Sequence, residues 1–216
     1  MFALKSRHMF IGSSRSGKSY LLKFGLTQLL EEKKNGLKFG LVFTATKHTG
    51  AYDWLPDHAV HSQFKDTILT NYLKWLLTTS KKKKKPIPNN IIVFDDIVNS
   101  LPQKEKWFEE FLSTYQHFNI TLFMTTQFIN KCAPLFREQA EYAYIFQLHI
   151  AKAIEATYDS YGSLFETVKK WKAFLVASTG VEDQCLIWAK ESKPVIALKY
   201  STFKAPEVKV QNEFDF

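Results

Sequence analysis

The densest chemistry in the chain lies in eight residues near its start, Gly12-Ser13-Ser14-Arg15-Ser16-Gly17-Lys18-Ser19. Two glycines around four small or polar positions let the backbone curl until successive N–H groups point inward, a concavity suited to phosphate oxygens. The helix expected next adds its positive N-terminal end. Lys18 would reach the outer phosphates of a nucleoside triphosphate, and the Ser19 hydroxyl would bind Mg²⁺. Gly12, Ser13, Ser14, Arg15, Ser16, Gly17, Lys18 and Ser19 are therefore the candidate phosphate-binding set. Chance produces this spacing in a chain of such length roughly once in a hundred. An apolar strand before it and an amphipathic helix after it favour the phosphate loop over a plain Gly/Ser turn.

A second station is Asn90-Ile91-Ile92-Val93-Phe94-Asp95-Asp96, two carboxylates ending an unbroken apolar run. Such a run reads as a buried strand, and in an open α/β sheet ligands gather at the carboxyl ends of strands. Asp95 would hold Mg²⁺ directly or through water, and Asp96 would act as the base that polarises an attacking water. Aspartates also close ordinary turns; the upstream phosphate loop favours the catalytic reading. A third strand, Thr121 to Gln127, ends in Thr125, Thr126 and Gln127. Gln127 would sense the γ-phosphate by hydrogen bonding, or cap the next helix.

Positioning these residues requires alternating strands and helices, which indicates α/β architecture with a largely parallel sheet. Expected strands are His8 to Ile11, Lys38 to Thr44, Ile91 to Phe94, Ile120 to Thr125 and Tyr142 to His149, with late strands at Gln184 to Ala189 and Val195 to Tyr200. Expected helices are Lys18 to Lys34, Asp66 to Ser80, Gln103 to Tyr115, Pro134 to Ala140, and a stretch from Ala151 to Ser178 broken near Gly162. Asn35-Gly36 is a stop for the first helix. Ala45 to Phe64 is a looser stretch, and Lys81 to Pro88 (KKKKKPIP) reads as a linker. Residues 1–203 form a single domain on this reading, and Lys204 to Phe216 a frayed tail.

The chain has 216 residues, a formal net charge of +8 and 15% aromatic content, enough apolar material for one sizeable core. Its basic balance favours polyanionic partners. Arginine occurs only at Arg7, Arg15 and Arg137, against 26 lysines. Cys132 and Cys185 form no C-x-x-C pattern, which argues against a zinc site or disulfide framework and fits reduced, intracellular life. The N-terminus lacks an apolar signal core, and no run approaches a membrane span, so a soluble protein is expected. His48, His58 and His61 fit no common zinc spacing and read as surface or interface residues. Trp75, Trp107 and Trp171 fall on helical faces and read as core. Lys81 to Lys85 would either line a pore against DNA phosphates or form a solvated loop.

The three stations, in this order, resemble the FtsK–HerA superfamily of ring ATPases, and most of all its poxvirus-type branch of viral DNA-packaging ATPases. The resemblance runs from Met9 to His149. Its most specific parts are IIVFDD, where the branch has paired aspartates, and HFNITLFMTTQF, which looks like the family's R-H-x-N-I-S…T-Q signature. PLFREQAEYAYIF is similar to the family's proline–arginine helix and following strand, and the likeness fades beyond His149.

This resemblance implies a P-loop NTPase fold of the RecA/ASCE type, a three-layer sandwich around a mostly parallel sheet. It implies ATP and Mg²⁺ as ligands, and a motor that drives double-stranded DNA into a preformed capsid. Implied partners are DNA, further copies of the chain in a pentameric or hexameric ring, and capsid or vertex proteins. The implied location is host cytoplasm or a viral factory, with association to the virion. The family's arginine before the histidine, a candidate trans-acting finger, is replaced here by Gln116. Arg137 is then the first choice for that role, the other reading being a surface ion pair with Glu141. Arg15 already sits in its own subunit's phosphate loop.

Rival readings remain open at this stage. A nucleotide kinase also opens with a phosphate loop, but such enzymes generally clamp two phosphorylated substrates with several arginines. A GTPase would need an Asp that Asn130-Lys131-Cys132-Ala133 lacks. A basic DNA- or capsid-binding protein with a vestigial nucleotide site would not need intact Lys18, Ser19, Asp95 and Asp96.

Overall fold

The computed structural model describes residues 2–31, 36–190 and 200–206. Its strands are β1 (Arg7–Ile11), β2 (Leu37–Thr44), β3 (Val60–His61), β4 (Asn89–Asp95), β5 (Ile120–Thr126), β6 (Tyr142–Ile145), β7 (Gln184–Ala189) and β8 (Tyr200–Lys204). Its helices are α1 (Lys18–Glu31), α2 (Asp66–Lys83), α3 (Lys106–Thr114), α4 (Pro134–Glu138), α5 (Ala151–Tyr161) and α6 (Val168–Thr179). One sheet holds the strands in the order β3-β2-β4-β5-β1-β6-β7-β8. The pairings from β3 to β6 are parallel, whereas β7 and β8 add antiparallel at one edge.

Strands covered on both faces must be apolar on both, and β4 and β5 are buried along nearly their whole length. Successive side chains then serve opposite layers. Phe10, Val93, Phe123 and Tyr144 meet Leu22, Leu26 and Leu29 of α1 on one face. Met9, Phe94, Leu122 and Met124 meet Leu69, Phe108, Phe136, Ile154 and Trp171 of the remaining helices on the other. The result is the three-layer α/β sandwich of P-loop NTPases. Because β5 separates the phosphate-loop strand β1 from the acidic strand β4, it has the RecA/ASCE arrangement.

Arg7 locks the second layer to the sheet. It is fully buried; its guanidinium donates to the Leu112 and Leu135 carbonyls and to Gln139 Oε1, and it lies over the Tyr115 and Phe136 rings. Burial lowers its pKa, against the opposing pull of Tyr115 and Glu141.

Several expected boundaries move. α2 runs through Lys83, so the first three residues of the expected linker are helical. Lysine is a good helix former, and cations in the last turn complement the helix dipole. α3 starts at Lys106, after a turn through Pro102 and Gln103. β6 stops at Ile145, because beyond it the chain turns along the phosphate loop, with Ser13 N–H donating to the Gln147 carbonyl. The looser stretch contains β3, paired with β2. Ordered chain passes the expected boundary at 203: Lys204 ends β8, Ala205 is buried, and Tyr20 Oη donates to the Pro206 carbonyl. α1 is described to Glu31, and Gly36 has the left-handed φ of 58° expected of a helix stop. Residues 195–199 of the expected last strand, and 207–216 of the tail, lie outside the described residues. Trp171 is core as expected, whereas Trp75 is 42% exposed.

His8 gives this core a pH dependence. It is fully buried between Phe123 and Tyr142, with Ser6 Oγ, Tyr144 Oη and the Ala3 carbonyl around its ring nitrogens. Burial pushes its pKa down from 6.5 to about 4, so the folded protein holds it neutral while the unfolded chain protonates it first. Its contribution is intact above pH 6.5 and is lost as pH falls from there toward 4. The loss is on the order of 3 kcal/mol. Urea unfolding across this window should show a stability decline that His8→Gln flattens. Parallel wild-type and variant profiles would contradict the assignment.

Candidate functional site

The strand register builds the site. Thr44 pairs with Asp95, and Asp95 with Thr125, across β2, β4 and β5. These three alternate with Phe43, Phe94 and Met124 of the multi-helix layer, so they face the α1 side, where the phosphate loop curls over the sheet. Asp95 is 3% exposed, and both its oxygens accept hydroxyl donors: Oδ2 from Thr44 at 3.0 Å and Oδ1 from Thr125 at 2.6 Å. Charge-assisted bonds of this kind hold a buried carboxylate in one orientation.

Asp96 turns the other way. Its φ of 53° is left-handed, and its N–H donates to both Oγ1 and the carbonyl of Thr125. Gln127 Nε2 donates to Asp96 Oδ2 at 2.6 Å. Gln127 therefore touches the second carboxylate, a contact the sequence does not announce.

The phosphate loop is tied at both sides: Gly12 N–H donates to the Thr126 carbonyl and Ser13 N–H to the Gln147 carbonyl. A Cβ on Gly12 would stand 2.6 Å from Ser16 Oγ and 2.7 Å from Phe146 Cβ. Gly17 has φ +93°, and a Cβ there would meet Asp183 Oδ1 at 2.7 Å. Both glycines are thus required by space, and the second by backbone conformation as well. Ser14, Arg15 and Ser19 are exposed at the mouth of the loop, with Arg15 at φ 59°. Lys18 is 7% exposed and its Nζ donates to the Gly12 and Ser13 carbonyls at 2.8 and 2.6 Å. Burial lowers its pKa, opposed by the charges of Asp96 and then Asp95, which places both carboxylates within electrostatic reach of this ammonium.

Three buried hydroxyls lack a partner among the described residues, Thr27 Oγ1 within α1 and, at the site, Ser16 Oγ in the loop and Tyr52 Oη. Tyr52 lies beside Asp95; burial, and then that carboxylate's charge, raise its pKa well above the ordinary value, although its hydroxyl misses hydrogen-bonding geometry. Such orphaned donors fit phosphate oxygens and the water shell of a hard cation. No group of three or more His, Cys, Asp or Glu that could hold a metal occurs among the described residues. The oxygen donors present, the Asp95 carboxylate and the Ser19 hydroxyl, are of the kind that fits Mg²⁺, which takes one or two protein ligands and completes its shell with substrate phosphates and water.

Of the expected site residues, the fold brings together Gly12 to Ser19, Asp95, Asp96 and Gln127. Arg137 stands apart on α4. Its carbonyl accepts from Tyr161 Oη, its Nε is buried without a partner, and no carboxylate lies within ion-pair distance of it among the described residues. The alternative pair with Glu141 does not form, because Glu141 accepts from Arg7 N, Gln116 Nε2 and, at longer range, Tyr115 Oη. That bond makes the exposed Gln116 a tether between the turn after α3 and the residue before β6. Thr44, Tyr52 and Asp183 were missed from sequence. The TxT in Thr44-Ala45-Thr46, at the end of an apolar run, was the only signal for the first. Asp183 arrives from a distant turn and had none.

A 130 Å³ cavity opens beside Ser13 and Ser14, with Gln127, Phe128, His149 and Ile150 along its wall. A larger one, of 220 Å³, lies beside the end of α2, where the chain leads into β4. Convergent N–H groups rather than volume define a phosphate site, so size does not displace the loop as the candidate.

No protein-family model and no curated protein sequence matches this chain. Solved structures do. The genome packaging NTPase B204 of Sulfolobus turreted icosahedral virus 2, in complex with AMPPCP, superposes with a TM-score of 0.66 at 17% identity, covering 94% of this chain and 99% of that one. The DNA-packaging ATPase B204 of Sulfolobus turreted icosahedral virus gives 0.63 at 16% identity, with 94% and 98% covered. The pCW3 conjugation coupling protein TcpA, solved with ATPγS, gives 0.59 at 13% identity, with 93% of this chain and 60% of TcpA covered. At these identities the likeness establishes a shared fold over nearly the whole chain.

Thr125 serves both acids, donating to one and accepting the N–H of the other. Thr125→Val should cost about 1–3 kcal/mol in urea unfolding, through a buried carboxylate oxygen and an amide left unpaired. A cost within experimental error would mean that the hydroxyl does not hold the pair.

Proposed function

We propose that this chain is the ATP-hydrolysing subunit of a viral DNA-packaging motor, of the poxvirus-type branch of the FtsK–HerA superfamily. The observation that carries this reading is the convergence, at one sheet edge, of the Lys18 ammonium with the clamped Asp95 and the out-turned Asp96. A lysine-bearing phosphate loop opposite one fixed and one re-aimed carboxylate is the apparatus for attack of water on a terminal phosphoryl group. The packaging NTPases and the coupling protein that share the fold supply the motor context.

On this reading the Gly12–Ser19 backbone and the first turn of α1 bind the phosphates of ATP. Lys18 leaves the Gly12 and Ser13 carbonyls for the β- and γ-phosphate oxygens. Ser19 and Asp95 would hold Mg²⁺, which would supply charge neutralisation on the phosphates. Thr44 and Thr125 keep Asp95 oriented. Asp96 takes a proton from the attacking water, and Gln127 holds the Asp96 carboxylate until the γ-phosphate competes for its amide. Arg137 is assigned to the neighbouring subunit's nucleotide in a homo-oligomeric ring of five or six copies, since Gln116 is committed to Glu141. Double-stranded DNA is the cargo, capsid or vertex proteins are the docking partners, and host cytoplasm or a viral factory is the place of action. Among the described residues no helix is long and apolar enough to cross a membrane.

Phosphate release with and without duplex DNA tests the proposal. Lys18→Ala should abolish nucleotide binding or turnover. Asp96→Asn should keep nucleotide affinity and lose about 10²–10⁴-fold in turnover. Arg137→Ala should lower turnover about 10³-fold or more in assembled rings and little in dilute monomer. Full activity in Asp96→Asn removes it as the base, an unchanged ring rate rejects Arg137, and phosphate passing to a nucleotide acceptor identifies a kinase. DNA binding with no turnover under any condition would leave only the vestigial-site reading.

A further inference from the structure

The C-terminal end of α2 concentrates positive charge without compensation. Between Asp66 and Asp95 the chain holds no acidic residue and six lysines, Lys74 and Lys81 to Lys85. All six are exposed, and none has an ion-pair partner among the described residues. The run is also folded. Lys84 N–H donates to the Lys81 carbonyl and Lys85 N–H to the Ser80 carbonyl, the paired bonds of a helix-terminating reversal, with Lys84 in the left-handed slot at φ 50°. Glycine would occupy that slot more easily. A lysine there keeps the charge at the cost of backbone comfort, and the run closes one helix end instead of trailing along an extended linker.

Beside them lies the 220 Å³ cavity, lined by Trp75, Thr79, Ser80, Lys83, Lys85 and Pro88. The Trp75 ring forms an exposed wall and is held in place, stacked on Tyr72 at 5.9 Å. Tyr72 Oη in turn donates to Oδ1 of the fully buried Asn90. A fixed aromatic face beside uncompensated ammonium groups suits a polyanion that also carries flat, apolar sugar and base surface. This groove stands where β4 begins, whereas Asp95 ends the same strand, so the two sites lie at opposite ends of β4, about 20 Å apart.

We propose that the α2 terminus is the chain's DNA-binding surface: Lys81 to Lys85 contact backbone phosphates of duplex DNA, and Trp75 lies against the sugars between them. This rests on the packaging-motor reading, and it places the DNA at the opposite end of β4 from the nucleotide.

The test is fluorescence anisotropy of a labelled short duplex against the full-length chain over a salt series, alongside basal phosphate release without DNA. Lys81→Ser/Lys83→Ser/Lys85→Ser should weaken binding about tenfold or more and lower the slope of log affinity against log salt by about 2.7. The same positions changed to arginine should restore both. Basal turnover should match wild type in each, which shows that the nucleotide site still folds. DNA should quench tryptophan emission in wild type, and Trp75→Phe should remove most of that quenching. Unchanged affinity and slope in the serine variant, with wild type binding DNA and turning over ATP, would overturn this surface alone. A serine variant that loses binding to anionic vesicles but not to duplex would also overturn it. Wild type with no turnover and no DNA binding would overturn the motor reading itself.

Discussion

A carboxylate buried at the end of a strand has to be held, and the way Asp95 is held governs the rest of the site. Its two oxygens take hydroxyl donors from the strands on either side, Thr44 and Thr125. That is possible only because β2, β4 and β5 are in register at these three positions. The same register puts Thr126 opposite Ile11, where its carbonyl accepts the Gly12 N–H and anchors the phosphate loop. Slipping one strand by a residue would reverse which face each side chain serves. The clamp, the out-turned Asp96 and the loop anchor would then be lost together. The packed faces of β4 and β5 thus do more than stabilise the sheet; they fix the distance between the acid pair and the loop that faces it.

Two ends of one strand then carry two kinds of chemistry. At the carboxyl end, buried hydroxyls and carboxylates surround a loop made to bind phosphate. At the amino end, where α2 gives way to β4, lysines and an indole face solvent. Between them β4 is buried along nearly its whole length. Such an element transmits displacement from end to end, since a packed interior yields little. Arg7 extends the connection sideways, joining the phosphate-loop strand to the carbonyls of Leu112 and Leu135 in the helical layer.

Much of this was legible in the sequence, because short-range patterns encode it. The phosphate loop, the acidic strand end and Gln127 are contiguous motifs, and unbroken apolar runs such as IIVF identify central strands. Long-range geometry was not legible. Thr44 is adjacent to Asp95 only through strand pairing across 51 positions, and Asp183 meets Gly17 only after the chain has returned from α6. The readings of Gln127 as a γ-phosphate sensor or a helix cap did not include a carboxylate partner, and the left-handed turn at Asp96 that brings the two together is a backbone choice no motif displays. The lysine run misled in a different way. Charge repulsion and the following prolines read as a linker, while lysine's helix propensity and the helix dipole carried α2 three residues into it. Glu141 at i+4 from Arg137 looked like a helix pair, but α4 ends between them and Glu141 lies in the bend that leads into β6.

A crystal structure of the full-length chain with a non-hydrolysable ATP analogue and Mg²⁺ tests the central claim most directly. The account predicts the triphosphate cradled by the Gly12–Ser19 amides, Lys18 Nζ moved from the loop carbonyls onto phosphate oxygens, and Ser19 Oγ at about 2.1 Å from the metal. The clamped Asp95 would face that metal from the opposite side. An analogue bound elsewhere, or in the loop with Lys18 still on the Gly12 and Ser13 carbonyls and Asp95 turned from the metal, would contradict it.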